Sequence, residues 1–442
     1  MNKTLSWNIH KFASLWLVKA SALLTILFVC LASCSTNPVT GARQFSVVSE
    51  SWELKTGEQH YPFQQQAGGG RYVIDPDLTA YVSSVGRKIV PFSKRKHLPY
   101  EFVVLNDSSP NAWALPGGKI AINRGLLLAL KNEAELAAVL AHEVVHADAG
   151  HSAQAQSVGT LIQIGQTAAG IALDKSGASS TLLQQGVGFA GLYGQTRHSR
   201  SKELEADLYG MRYMSAAGYD PRAAISLQET FVRLSAGRSS DLFSLLFASH
   251  PPSQSRVAAN QKTAWSLPRS GQFGEAAYAR EIAKLKARKP AYDASDEAVK
   301  SIGKKDFHAA LALADKAIQL ERRESRFHEI RGFALQGLNR SKDAKEAYTQ
   351  AINLDPSYFS PLLRRGILNH KLQSFSDARL DLNASLKLAP SQIAHFVLGD
   401  IEEKNRRCQT AANHFQFAAQ NPGEYQQQAQ QRLAALQLNC KS

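Results

Sequence analysis

The chain has 442 residues, 44% of them apolar, with 51 Lys and Arg against 37 Asp and Glu for a formal net charge of +14. That length allows two or three domains. The basic excess is not gathered into an aromatic-interleaved patch or a nucleic-acid motif, so it reads as solubility or as attraction to anionic lipid headgroups, and nucleic acid is not expected as a partner.

The chain opens with Lys3, Lys11 and Lys19, then an apolar run from Ala20 to Ala32 that is too short to span a bilayer and reads as a signal h-region. It ends in Leu31-Ala32-Ser33-Cys34, which resembles a bacterial lipobox with Cys34 as the lipidated residue. Cys30 fits less well because Val29 is a poor residue at the cleavage position. Ser35 after the cysteine, rather than Asp, favours the outer membrane, with several acyl chains giving a stable anchor. Plain secretion with cleavage near Ser33 is the alternative. Residues 1–33 are therefore expected to be a lipoprotein signal peptide.

Leu78, Tyr81, Val82, Val85 and Ile89 predict a helix over residues 77–90, and residues 100–105 read as a strand. Pro116-Gly117-Gly118 predicts a turn between Asn111–Leu115 and a short strand from Lys119 to Asn123. A helix follows from Asn132, with Asn132 as cap, Glu135 suited to a capping box and Leu136, Val139, Leu140 and Val144 as its apolar face.

That helix carries His142-Glu143-Val144-Val145-His146. At i and i+4 both imidazoles leave the same side one turn apart, so both can reach one tetrahedral ion. Glu143 beside them is placed to take a proton from a water activated there, and this is the mechanical reason for the H-E-x-x-H pattern of zinc proteases. A third ligand is needed. His151 does not fit the register in which glycine and histidine follow the second motif histidine by three and six residues, because Ala149 and Ser152 occupy those places. Gly150 reads as the helix stop and His151 as structural or solvent-facing. Residues 152–197 are rich in Gly, Ala, Ser and Gln; soluble helices and a mobile Ser176–Ser179 loop are expected. Beyond them, Glu203 and Asp207 are again i, i+4 on a predicted helix. Glu203 could complete a His2Glu site, and Asp207 could accept the free N–H of a ligand histidine; Glu205 points roughly opposite and is the weaker ligand.

His142-Glu143-x-x-His146 with Glu203-x-x-x-Asp207 resembles the gluzincin metallopeptidases of the HtpX and prenyl-protein-protease type, and most closely their tetratricopeptide-bearing, β-barrel assembly-enhancing branch. The likeness runs from about Asn37, whose Asn37-Pro38-Val39-Thr40-Gly41 stretch is similar to the start of that family, to the C-terminus. The resemblance implies one zinc ion per chain held by His142, His146 and Glu203, with Glu143 catalytic and Asp207 behind a ligand. It implies that the Asn111–Ile122 segment, with Asn111, Lys119 and Ile120, lies along the substrate as a sheet edge. It further implies that His250, ahead of Pro251-Pro252, fills the open metal position and holds the enzyme latent, and that Arg256 steadies a tetrahedral oxyanion. Misassembled outer-membrane β-barrel proteins or stalled lipopolysaccharide-transport components would be the substrates and the outer-membrane β-barrel assembly machinery the partner. The lipid anchor departs from the soluble pattern of that branch.

Lys284, Lys286, Arg288 and Lys289 mark residues 266–291 as a basic linker between a metallopeptidase domain, 34–265, and a repeat domain, 292–442. Gly332, Gly366 and Gly399 recur in step with Ala344 and Ala378 and with Pro356 and Pro390, a 34-residue tetratricopeptide period. About four repeats over 292–423 would stack into a solenoid that binds peptides or proteins, closed by a helix over 425–438. Cys408 and Cys440 are free to pair in an oxidising compartment. The expected architecture is α+β: a mostly helical zincin-like domain with a small sheet, then an all-α solenoid. A zinc endopeptidase and a chaperone-like scaffold with a mostly latent protease both fit; a peptidoglycan-active hydrolase or amidase has no feature in its favour.

Overall fold

The computed structural model describes residues 34–159, 198–235 and 243–439. The signal segment, the Ser176–Ser179 loop and Cys440 lie outside these residues. No helix among the described residues is long and apolar enough to cross a membrane.

The chain enters as a two-stranded ribbon, β1 (Cys34–Thr36) paired antiparallel with β2 (Arg43–Phe45). Two helices follow, α1 (Glu50–Ala67) and α2 (Pro76–Ile89). The sheet is three-stranded: β3 (Glu101–Leu105), β4 (Ala112–Leu115) and β5 (Lys119–Asn123), in the order β3-β5-β4. β3 runs parallel to β5, and β4 antiparallel to it through the Pro116-Gly117-Gly118 turn, whose two glycines have φ of +75° and +82°. Both faces are buried, and the period of two sorts the side chains. Val103, Leu105, Trp113, Leu115 and Ala121 pack with Tyr61 of α1, while Phe102, Val104, Ala112, Ala114, Ile120 and Ile122 join the main core.

This topology corrects the expected substrate strand. Lys119 and Ile120 sit on the central strand, with a neighbour on each side, and the Ile120 carbonyl also accepts from Tyr61 Oη at 2.6 Å. A strand paired on both edges has no backbone left for a peptide. The edge strands are β3, whose outer side takes the backbone of Gly70–Tyr72, and β4, which Asn111 precedes; the Asn111 carbonyl already accepts from the Asn123 N–H.

After the short α3 (Arg124–Ala129) comes α4 (Glu133–Asp148), the helix of the H-E-x-x-H motif. Asn132 Oδ1 caps it by accepting from the Glu135 N–H at 2.8 Å. Glu135 reaches back one residue further than a capping box would, to the Lys131 N–H. The far end is pinned by Asp148, fully buried, which accepts from the N–H groups of Lys94 and Arg95 and from Tyr213 Oη. Gly150, at φ +66°, ends the helix as expected, and a further helix, α5, runs over 151–159. Then come α6 (Arg200–Ala216), α7 (Arg222–Ser235), α8 (Ser244–Ser249), α9 (Gln254–Trp265) and α10 (Glu275–Glu281).

The basic linker is not a loop. α11 runs Ala283–Gly303, straight through the boundary expected at residue 292. Lys, Arg and Ala are good helix formers, and the cations find acids on neighbouring elements or one turn along the same helix. Lys284 pairs with Asp77, Arg288 with Asp75 and Glu321, and Lys289 with Asp293. α11 is the first helix of the array: it pairs with Phe307–Leu320, followed by the pairs Ser325–Gly337 with Ser341–Leu354, Phe359–Lys371 with Phe375–Leu388, and Gln392–Lys404 with Cys408–Gln420. A closing helix, Gln426–Asn439, ends it. The glycine period has a steric cause. A Cβ at Gly332, Gly366 or Gly399 would come within 2.6–2.8 Å of Tyr348, Leu382 or Phe415 on the partner helix. Cys408 is disulfide-bonded.

The array is seated on the first domain rather than tethered to it. The Arg124 guanidinium lies 3.4 Å from the ring centre of Tyr292, and Asn106 Nδ2 and Tyr292 Oη both donate to the Glu324 carboxylate, at 2.9 and 2.6 Å. Tyr292 and Phe327 belong to the same apolar cluster as the sheet and α4.

Candidate metal centre

α4 and α6 carry the site, and Gly210 lets them meet. A Cβ there would stand 3.1 Å from the His142 backbone nitrogen and 3.3 Å from the Ala141 carbonyl carbon. Gly210→Val is therefore expected to cost about 1–3 kcal/mol of stability by overpacking, seen as a lower Tm, together with weaker metal binding as the ligand helices part.

Across that crossing four ligand groups converge: His142, His146, Glu203 and His250. His142 Nε2 lies 3.0 Å from His146 Nε2, and each lies 3.4 Å from a Glu203 carboxylate oxygen. His250 Nδ1 lies 3.3 Å from His142 Nε2 and 3.2 Å from both Glu203 oxygens. Ligands about 2.0–2.1 Å from a tetrahedral zinc are separated by about 3.3–3.4 Å, simply from the tetrahedral angle. The donor set is thus spaced as one zinc ion requires.

The electrostatics agree. Burial opposes ionisation of Glu203, yet the imidazoles around it, His250 foremost, hold its carboxyl far below the usual range. Burial likewise opposes a charge on His142, but Asp207 and Glu203 push its pKa up to about 10. For His146, burial, reinforced by His198, drives the ring the other way, well below its ordinary value.

Behind these groups, Asp207 Oδ1 lies 3.0 Å from His142 Nδ1. A carboxylate only accepts, so Nδ1 carries the proton and Nε2 is left free to bind metal. Arg256 is placed differently from expectation. Its Nε and one terminal nitrogen donate to Asp207, both at 2.7 Å, and the other terminal nitrogen lies 2.9 Å from Glu203 and 3.2 Å from the Pro251 carbonyl. It clamps two carboxylates, and four of its five N–H donors have protein partners. Glu143 is buried beside the ligand set but outside it, with Oε1 3.6 Å from His250 Nε2.

Two histidines were not legible as neighbours of this site. His198 stacks on His146, with ring centres 4.0 Å apart and 23° between planes. His151, read as structural or solvent-facing, is buried with Nδ1 2.8 Å from His146 Nδ1. Neither has a local sequence signal, because each is set by how the chain before α6 and the end of α4 fold over His146.

The model of Peptidase family M48 matches residues 76–264, which hold all four ligand groups, Glu143, Asp207 and Arg256. This segment is a peptidase family M48 domain. The M48 family implies a divalent metal, and the donor set above fits one. Among similar curated proteins, the mitochondrial metalloendopeptidase OMA1 of Schizosaccharomyces pombe is 36% identical over 222 residues, covering 50% of this chain and 63% of the relative. The β-barrel assembly-enhancing protease of Escherichia coli is 28% identical over 230 residues, covering 51% of this chain and 46% of the relative. The metalloprotease YcaL of the same organism is 30% identical over 160 residues, covering 36% and 60%. The chain thus spans between about half and two thirds of the length of these relatives.

Beside the four convergent groups lies a largely apolar pocket lined by Ala112 of β4, Val139, His142, Glu143, Met211, Met214, Leu227, Phe231 and Leu246. α8 closes one side of it with Leu246 and delivers His250 to the ligand set.

Proposed function

We propose that the protein is a zinc-dependent endopeptidase of the periplasm, anchored to the outer membrane through Cys34, that acts in quality control of outer-membrane proteins. The single observation that carries the enzymatic part is the spacing of His142, His146, Glu203 and His250, with buried Glu143 beside them. The cellular part is supported by the likeness to the β-barrel assembly-enhancing proteases and by the lipobox; the partner would be the outer-membrane assembly machinery, met through the repeats.

His142, His146 and Glu203 would hold the zinc, which when bound supplies Lewis-acid polarisation of the scissile carbonyl. The chain's own residues do the rest. A substrate strand pairs along β4, since Asn111, Trp113 and Leu115 turn their backbone groups toward β5 and Ala112 and Ala114 turn theirs outward. One substrate side chain enters the apolar pocket. Glu143 takes the proton of the attacking water on its carboxylate and delivers it to the departing amide nitrogen. Asp207 holds His142 in the binding tautomer, and Arg256 holds Asp207 and Glu203 in place.

His250 sits where a substrate-competent site must be open. It is read as a latch that leaves when substrate enters. His250→Ala is expected to raise cleavage of an unfolded protein such as casein by about tenfold, equivalent to removing a latch closed by about 1.4 kcal/mol. Zinc per chain should remain at one. A fall in cleavage would assign His250 to the chemistry itself, and zinc loss would make it an obligatory ligand.

A further inference from the structure

The two histidine ligands each have a second ring nitrogen to satisfy, and they do so differently. His142 turns its Nδ1 to Asp207. His146 turns its Nδ1 to Nδ1 of His151, at 2.8 Å, inside the protein. The row continues: His151 Nε2 lies 3.3 Å from Glu205 Oε1, and the same oxygen accepts from Asn37 Nδ2 at 2.7 Å.

The protons along this row can be placed from its far end. A carboxylate only accepts, so the Asn37 amide and His151 Nε2 both donate to Glu205. A neutral His151 protonated at Nε2 has a lone pair at Nδ1. His146 Nδ1 must then be the donor, which leaves the lone pair of its Nε2 aimed at the metal locus beside Glu203.

Asn37 is itself held. Its Oδ1 accepts from the N–H groups of Val39 and Thr40, at 2.9 and 3.1 Å, and its own N–H donates to the Ala42 carbonyl. The segment around it is seated over the end of α4 and on α5: Gln44 Nε2 donates to the Ala149 carbonyl, and the Val47 N–H donates to Ser157 Oγ at 3.0 Å. Asn37 lies outside the M48 match at 76–264. The turn before α1 is therefore tied to a metal ligand by three consecutive side-chain contacts, the first joining residues 168 apart in the chain.

We propose that His151 is a positioning residue for the metal ligand His146, and that Glu205 and Asn37 make the N-terminal turn a working part of the metal centre. This rests on the zinc reading of the site. Metal affinity, not only folding, then depends on a residue that lies 39 positions before the M48 match begins.

The test is made on the full-length protein. The zinc dissociation constant is measured by competition with a chromogenic chelator, the visible spectrum is recorded with cobalt in place of zinc, and the Tm is taken without metal. His151→Phe keeps the volume and removes both contacts. It is expected to weaken zinc binding about 10–100-fold, to shift the cobalt spectrum, and to leave the metal-free Tm near wild type. His151→Gln, whose amide can accept from His146 and donate to Glu205, should recover most of the affinity. Asn37→Ala should lose affinity in the same direction but less. The proposal is overturned if His151→Phe binds zinc within about twofold of wild type. It is overturned too if the loss of affinity is matched by a loss of metal-free Tm and His151→Gln rescues neither. A wild-type protein that takes up no zinc would instead bring down the metal-centre reading, which separates the two failures.

Discussion

Glu143→Gln is expected to lower casein cleavage by about 10²–10⁴-fold, the usual contribution of a positioned general base, while zinc per chain stays at one. Glutamine keeps the shape of the side chain but cannot take a proton. The reason for expecting activity and metal binding to separate is geometric. Glu143 lies on the motif helix between the two histidines yet is not among the four groups that converge on the metal locus. Burial raises its carboxyl above the ordinary range, with the His250 and His142 rings pulling the other way, so it is a stronger base than a surface glutamate. Unchanged cleavage would place the base elsewhere. Zinc lost along with cleavage would mean that Glu143 holds the site together rather than moving a proton.

Arg256→Ala is expected to destabilise the metal-free protein by about 3–5 kcal/mol, because removing one partner of a buried ionic cluster strands the others. Here the stranded groups are Asp207 and Glu203, 8% and 1% exposed. Added zinc should restore part of the loss, since a bound cation answers the Glu203 charge but not that of Asp207. Urea unfolding with and without zinc measures both effects. An arginine acting only as an oxyanion donor would behave in the opposite way: turnover would fall and unfolding would not move. Arg256→Lys should recover only part of the stability, because a single ammonium cannot reproduce the paired contacts to Asp207 and the contact to Glu203 at once.

Much of the fold was legible because it is local. The cap at Asn132, the turn at Gly117-Gly118 and the strands at 101–105 and 119–123 follow from residue type and period. So do the repeats. The left-handed residues Lys305, Asn339, Gln373 and Arg406, which share one register, show each repeat turning in the same way although only Asn339 favours that conformation by type. The misread parts were those that needed a neighbour. Lys119 and Ile120 look like edge residues until β3 pairs with β5 from the other side. The basic stretch before residue 292 looks like a linker until Asp75, Asp77 and Glu321 are brought to it.

The same division runs through the metal centre. The pair His142 and His146, with Glu143 between them, is legible from the motif alone, because one turn of helix decides their spacing. Glu203 and Asp207 fall on one face of a second helix for the same reason. Long-range packing alone makes these helices cross at Gly210, brings His250 to the convergent donor groups from 108 residues away, sets Arg256 on carboxylates and stands His151 behind His146. Side-chain patterns record which face of an element a residue occupies. They do not record which distant face it meets, and a metal site is decided to within tenths of an ångström by that meeting.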